Sequence, residues 1–346
     1  MARAIKVVLF GVGPLGTRVA NAVLGRRNVE VVGAIDLQNV GSDLGAAVGA
    51  ARKTGVPIRS DADAVLRKTQ ADIVVHATTS RLAGAVPQIE ACLRAGLSVV
   101  TSCEELAFPV PSQRELADRL NTLAKSQGRA VLATGINPGY LMDKLPLVLS
   151  AVCLEVERVT VTRMMKSRVR RASFQKKIGT GMQVEEFSRL IREGTITGHV
   201  GLIESAAMLA EGLGFDVERV VELPVEPVIC IREVTTYADP SEREVLGVVR
   251  PGEVAGLKSV AHVIAKGKPV VVLEFIAHAN VDDPYDAVSI EGTPNIEQKI
   301  IGGIDGDTGT VAMLVNSIPR VLAAGPGLHT MLDINPPVPL TEKFWL

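Results

Sequence analysis

The chain has 346 residues and sets 37 Lys and Arg against 38 Asp and Glu, which excludes a general nucleic-acid binder in need of a basic excess. Apolar residues make up 47% and aromatics only 3%, so the core is expected to be aliphatic and no base-stacking surface is available. No uncharged apolar run reaches the roughly 18 residues of a membrane span, and the length suggests two domains.

In chain order, residues 4–10 form a short aliphatic run that reads as a strand. Gly11 and Gly13 cut it too short for a secretion signal, and the helical spacing Leu15, Val19, Val23 follows. Residues 29–35 are a second aliphatic run, 61–69 a short helix and 72–77 a strand. Residues 82–95 are helical and closed by Gly96, and 97–102 are again a strand. Ser112-Gln113-Arg114-Glu115 has the form of a capping box opening a helix to about Gln127, and 130–134 is the next strand. This alternation specifies an α/β Rossmann domain, a doubly wound parallel sheet over about 1–150. Over about 151–306 the pattern changes to a second, α+β domain with a mainly antiparallel sheet. Its signs are alternation at 156–165, paired runs around Gly267, and helical spacing at 184–193 and 200–213. The segment from about 307 to 346 opens with a helical pattern and is expected to pack back on the first domain.

Gly11-Val12-Gly13-Pro14-Leu15-Gly16 is a G-x-G-x-x-G between a strand and a helix. The first glycine permits a tight turn, the second lets backbone approach a pyrophosphate, and the third lets helix and strand pack closely. Asp36 lies 20 residues beyond Gly16, the spacing of a carboxylate that accepts from ribose hydroxyls. It would repel a 2′-phosphate, which favours NAD, although a distant Arg would admit NADP. Thr78 and Thr79, at the next strand end, either line the dinucleotide or cap the following helix. His76, inside that strand, reads as a hydrogen-bonded core residue.

Ligands of a doubly wound sheet bind at the carboxyl ends of its strands. One such end is Thr101-Ser102-Cys103-Glu104-Glu105-Leu106, where two carboxylates would be costly to bury without a task. Neighbours in an extended turn cannot both face a cleft, so one is expected toward substrate and the other toward solvent or a helix. The next strand end is Gly135-Ile136-Asn137-Pro138-Gly139-Tyr140, whose rigid turn would hold the Asn137 amide. Four cysteines, 92, 103, 153 and 230, contain no C-x-x-C pair and read as free thiols of a cytoplasmic protein. Five scattered histidines include no i, i+4 pair, so no metal site is expected.

These two strand ends, with Gln175-Lys176-Lys177-Ile178-Gly179 and Gly198-His199-Val200-Gly201-Leu202, resemble the 2,4-diaminopentanoate dehydrogenase family, which includes native amine dehydrogenases on a dihydrodipicolinate reductase-like fold. The resemblance runs the whole length. It implies NAD(P)-dependent oxidative deamination of a primary amine, or reductive amination of a ketone or aldehyde with ammonia. A glutamate of the Glu-Glu-Leu segment is the family's acid/base, placed here on Glu104 with Glu105 as alternate. Cys103 and Asn137 fall on the cofactor side, and Asn137, Tyr140, Arg163, Phe174 and His199 on the substrate side. A homodimer is implied as well.

Three other enzyme readings are weaker. There is no His-His pair for a dihydrodipicolinate reductase-like imine or carbonyl reductase, and no Glu-Lys-Pro for a sugar dehydrogenase. Cys103, with acidic neighbours, is a poor aldehyde-oxidising nucleophile. A 2,4-diaminopentanoate dehydrogenase proper, acting on a diamino acid, is the narrower alternative. A dinucleotide-sensing regulatory protein is the alternative outside catalysis.

Overall fold

The computed structural model describes residues 3–110 and 113–339. Among them the chain forms two compact units, one running to Tyr140 and resuming at Asp305, the other Leu141–Ile304. The capping box read at Ser112 lies outside the described residues.

The first unit contains β1 (Ile5–Phe10), α1 (Pro14–Leu24), β2 (Val29–Ile35), α2 (Leu44–Ala47), β3 (Ile58–Arg59), α3 (Ala62–Lys68), β4 (Ile73–His76), α4 (Leu82–Arg94), β5 (Ser98–Thr101), α5 (Arg114–Ser126) and β6 (Ala130–Ala133). The second holds α6 (Lys144–Ser150), β7 (Glu155–Lys166), α7 (Ala172–Lys177), α8 (Val184–Arg192), α9 (Leu202–Gly212), β8 (Arg219–Glu222), β9 (Glu226–Ile229), β10 (Val234–Tyr237), β11 (Val245–Val249), β12 (Val254–Ala265), β13 (Lys268–His278), β14 (Tyr285–Thr293) and β15 (Ile296–Ile301). The chain then returns to the first unit with α10 (Gly306–Ala323) and β16 (Gly327–His329).

The first unit is a parallel sheet in the order β16-β6-β5-β4-β1-β2-β3. Every residue of β4, β5 and β6 is buried, because helices cover both faces and the strands carry unbroken aliphatic runs. Helices α1 and α10 pack together on one face, and α3, α4 and α5 in succession on the other. The returning β16 extends the sheet beyond β6, with Gly327 N–H donating to the Arg129 carbonyl at 2.9 Å.

The second unit is built on a seven-stranded sheet in the order β15-β14-β7-β13-β12-β8, with β9 also paired to β12. Only β7 and β13 run parallel; the other pairings are antiparallel. Strands β12 and β13 form a long hairpin whose two turn residues, Lys266 and Gly267, have φ of 51° and 69°. Two successive positive φ values match the right-handed twist of the flanking strands. Helix α6 packs against α9, β7 and β14, so the second unit starts at Leu141, ahead of the boundary near 150 expected from the sequence.

Inside this unit Arg163 is 1% exposed on β7, and Asp286, its register neighbour on β14, is equally buried. Arg163 Nη2 donates to the Ile304 carbonyl at 2.6 Å, and Ile304 N–H donates to Asp286 Oδ2 at 2.7 Å. Arg163 Nε lies 3.8 Å from Asp286 Oδ1. A buried ion pair thus clamps both backbone polar groups of the unit's last residue.

Candidate active site

In the first unit the strand order reverses between β1 and β4, and the carboxyl ends of β1, β2, β4, β5 and β6 share one edge. The glycine turn follows β1. Gly11 has φ +100°, and a Cβ there would stand 2.4 Å from the Ala77 carbonyl oxygen. A Cβ on Gly16 would stand 1.9 Å from the Gly11 carbonyl oxygen, so this contact admits only glycine. Gly13 is different, because a Cβ there meets nothing within 4 Å. It is the N-cap of α1, Pro14 follows at the helix start, and no side chain caps the turn. The helix therefore presents its N-terminal N–H groups to open space in front of Gly13. That is a cradle for a pyrophosphate, and the residues fit a dinucleotide.

Asp36 follows β2. Its Oδ2 accepts from Val12 N–H at 2.5 Å and its Oδ1 from Gln38 N–H at 2.8 Å. The carboxylate thus shapes the glycine turn, and each oxygen keeps a lone-pair direction toward a ribose hydroxyl. Val12 and Gly16 are buried, Gly13 and Leu15 half-buried, and Pro14 exposed.

The loop after β4 carries Thr78 and Thr79. Thr78 is exposed, and its hydroxyl donates to Gln88 Oε1 at 2.6 Å. Thr79 Oγ1 accepts from Arg81 N–H at 3.2 Å, just ahead of α4. His76 is fully buried, with Nε2 2.6 Å from Gln88 Oε1 and Nδ1 2.8 Å from Thr101 Oγ1. Burial pulls its pKa down to about 4, so the ring is neutral.

The turn after β5, Glu104–Leu106, is a single 3₁₀ turn. The two glutamates have different tasks. Glu105 Oε1 accepts from Arg81 Nη1 at 2.6 Å, and Oε2 accepts from Leu82 N–H at 2.7 Å. It therefore supplies from outside the carboxylate cap that Arg81, the N-cap of α4, does not provide. Glu104, half-buried, opens the turn directly beyond the strand end. Cys103 is 1% exposed, and its Sγ donates to the Ser80 carbonyl at 3.4 Å. Burial pushes its thiol up to about 12, and the charge of Glu104 adds to the shift. A thiol held protonated in this way is no nucleophile.

Asn137 follows β6 and is buried, with half-buried Tyr140 three residues on. Gly139 has φ +131°, and a Cβ there would lie 2.4 Å from Gly135 N. Thr310 Oγ1 of α10 accepts from Ile136 N–H at 3.3 Å, so the returning helix supports this loop. Glu104, Asn137, Thr78, Asp36 and the glycine turn all belong to the carboxyl edge of one sheet.

The remaining expected substrate contacts belong to the second unit. Arg163 is committed to Asp286 and Ile304 in the unit's interior. Phe174 is half-buried on α7 with the Arg170 guanidinium 5.2 Å from its ring centre. The His199 ring stacks on Phe275 at 4.3 Å and 9°, and the His199 backbone N–H donates to Ser259 Oγ at 3.3 Å. Sequence reading missed Arg81 and Gln88, which organise the strand ends from a neighbouring loop and helix. The polar Gln88, half-buried in a helix that buries Leu82, Ala85, Val86 and Ile89 around it, was the available signal. No group of His, Cys, Asp and Glu suited to a metal occurs among the described residues, and no described helix is long and apolar enough to cross a membrane.

Comparison with known proteins gives a consistent result. A family profile described as the C-terminal domain of 2,4-diaminopentanoate dehydrogenase matches residues 140–345, and one described as the N-terminus of dihydrodipicolinate reductase matches residues 5–103. A 2,4-diaminopentanoate dehydrogenase from Acetoanaerobium sticklandii is 31% identical over 97% of this chain and 94% of its own length. An amine dehydrogenase from Streptomyces virginiae is 24% identical over 95% of this chain and 96% of its own. The solved structure of an amine dehydrogenase from Mycobacterium smegmatis superposes with a TM-score of 0.81 at 27% identity, covering 96% of both chains.

Proposed function

The chain belongs to the 2,4-diaminopentanoate dehydrogenase family, and from that premise we propose that it is an NAD(P)-dependent amine dehydrogenase, deaminating a primary amine oxidatively and aminating a ketone or aldehyde with ammonia in reverse. The observation that carries the assignment of roles is the division between the two glutamates. Glu105 has both oxygens taken up by Arg81 and the start of α4, which leaves the acid/base role to Glu104. When bound, the dinucleotide supplies or accepts the hydride.

The chain's own side chains do the rest. In the aminating direction Glu104 takes a proton from ammonium, freeing the nitrogen lone pair to attack the carbonyl carbon. It returns that proton to the carbinolamine hydroxyl, which leaves as water. The carboxylate is then an anion facing a cationic iminium, which it stabilises electrostatically. In the deaminating direction Glu104 takes the proton of the attacking water. Asn137, buried in a loop with no freedom at Gly139, offers a fixed amide to orient the substrate.

The test is NADH oxidation with ammonium chloride and butanone, cyclohexanone or pentanal, together with NAD reduction by 2,4-diaminopentanoate. Turnover that requires both ammonium and carbonyl supports the reading; turnover with carbonyl alone makes the protein an ordinary carbonyl reductase.

NAD is the preferred cofactor in this reading, with NADP as the second choice. Asp36→Ala is expected to narrow the preference, because it removes the anion that repels a 2′-phosphate. An unchanged ratio of kcat/KM for the two cofactors would show that Asp36 does not meet the ribose. A homodimer accompanies the reading. It rests on the family to which the chain belongs and not on an apolar face, because Met164 and Ile276 share their face of the second unit's sheet with the Lys258–Glu274 ion pair and Thr162. Sedimentation as a monomer at micromolar concentration would remove this expectation.

A further inference from the structure

One buried polar group of the first unit has no part in the chemistry above, yet it sits where three strand ends meet. His76 closes β4, packs edge-on against Phe10 of β1 at 5.4 Å and 71°, and reaches Thr101 of β5. With Gln88 Oε1 facing the ring, its bonds take one consistent direction. Gln88 Oε1 only accepts, so it takes Nε2–H of His76 as well as the Thr78 hydroxyl. Nδ1 is then an acceptor and takes the Thr101 hydroxyl proton, while Thr101 Oγ1 accepts from Cys103 N–H at 3.1 Å. The run therefore reads Thr78, Gln88, His76, Thr101, Cys103 with every donor matched to one acceptor. Thr78 Oγ1 also lies 3.0 Å from His76 Nε2, so the cofactor-side end of the run is tied to both the ring and Gln88.

We propose that His76 is a positioning residue, locking the Thr78 loop on the cofactor side to the backbone of Cys103 at the head of the turn that carries Glu104. The proposal rests on the acid/base role given to Glu104. A second set of bonds stitches the same two loops at their upper surface, because Glu105 N–H and Cys103 Sγ both donate to the Ser80 carbonyl. The His76 run fixes them from beneath, inside the sheet. A hydride transfer needs its acid/base held to a fraction of an ångström, and misplacement by about 1 Å costs up to ~10²-fold.

The experiment compares Thr101→Val, Thr101→Ser and Glu104→Gln with the wild-type enzyme. For the compound turned over fastest in the panel above, kcat and KM are measured, with NADH Kd from fluorescence quenching. Thr101→Val keeps the shape but removes both hydroxyl bonds. It is expected to lower kcat roughly tenfold, with KM and NADH Kd within about twofold, and Thr101→Ser to restore kcat. A wild-type kcat in Thr101→Val beside an impaired Glu104→Gln overturns the positioning role and leaves the catalytic reading standing. A wild-type kcat in Glu104→Gln overturns both. Should Thr101→Val not fold, His76→Asn keeps an acceptor toward Thr101, whereas His76→Gln keeps a polar group toward Gln88. The Asn variant is then expected to be the faster, and equal rates in the two overturn the proposal.

Discussion

Glu104→Gln is expected to lower reductive amination by about 10²-fold or more while leaving NADH Kd within about twofold. The amide keeps the volume and polarity of the side chain but neither takes a proton from ammonium nor gives one to a departing hydroxyl. It also removes the anion opposite the iminium, so the two losses act on successive steps. The change lies one turn beyond β5, away from the Gly13 cradle and the Asp36 carboxylate, which is why cofactor binding is expected to survive. The parallel change Glu105→Gln separates chemistry from support. It weakens the pairing with Arg81 and the cap on α4, and its main effect is expected on thermal stability. If the two variants exchange behaviour, the acid/base role moves to Glu105.

Arg163→Ala is expected to destabilise the protein by about 3–5 kcal/mol in urea unfolding, the usual loss when one partner of a buried ion pair is removed. Asp286 would keep the Ile304 N–H but lose the opposite charge, and the Ile304 carbonyl would lose its donor. The pH dependence has a definite sign. Burial already raises the Asp286 pKa above its ordinary 3.8, with Arg163 pulling it back down. Without Arg163 the folded-state value rises further, so the folded protein favours the protonated acid. The variant's stability is then greatest below the unfolded value and is lost as pH rises through the raised one. The deficit against wild type is accordingly expected to be smaller near pH 4 than near pH 8, and an equal deficit at both would show that Asp286 is not the group left unpaired. Substrate affinity measured in the same variant tests whether Arg163 has any role beyond this clamp.

The glycine turn and Asp36 were legible in the sequence because their task is a matter of backbone. A Cβ at Gly11 or Gly16 collides with main-chain oxygen, and no other residue type can answer that demand. The strands β4, β5 and β6, though only four residues each, were legible because burial on both faces forces unbroken aliphatic runs. What could not be read was the choice between Glu104 and Glu105. Their chemistry is identical, and what distinguishes them, the engagement of Glu105 with Arg81 and the N-terminus of α4, involves residues some two dozen positions back in the chain. The buried ion pair of Arg163 could not be read for the opposite reason. A charge within an alternating strand suggested a ligand, whereas its partner was Asp286, more than a hundred residues on. The strands β3, β8, β9 and β16 were not anticipated, because they are short and only partly buried and so carry no unbroken aliphatic run.

The return of the chain to its first unit also bears on how the molecule is made. Strand β6 is finished early, but the neighbour that covers its outer edge, β16, is made only after the whole second unit. Until then the nascent protein exposes unpaired N–H and C=O groups along β6, and the Ile136 amide waits for a hydroxyl 174 residues downstream. The second unit, contiguous in sequence, can fold during that wait, whereas the first closes only afterwards. A chain that stops before α10 would therefore carry an adhesive sheet edge and no hydroxyl beneath the Asn137 loop, a product destined for chaperones or aggregation rather than partial activity.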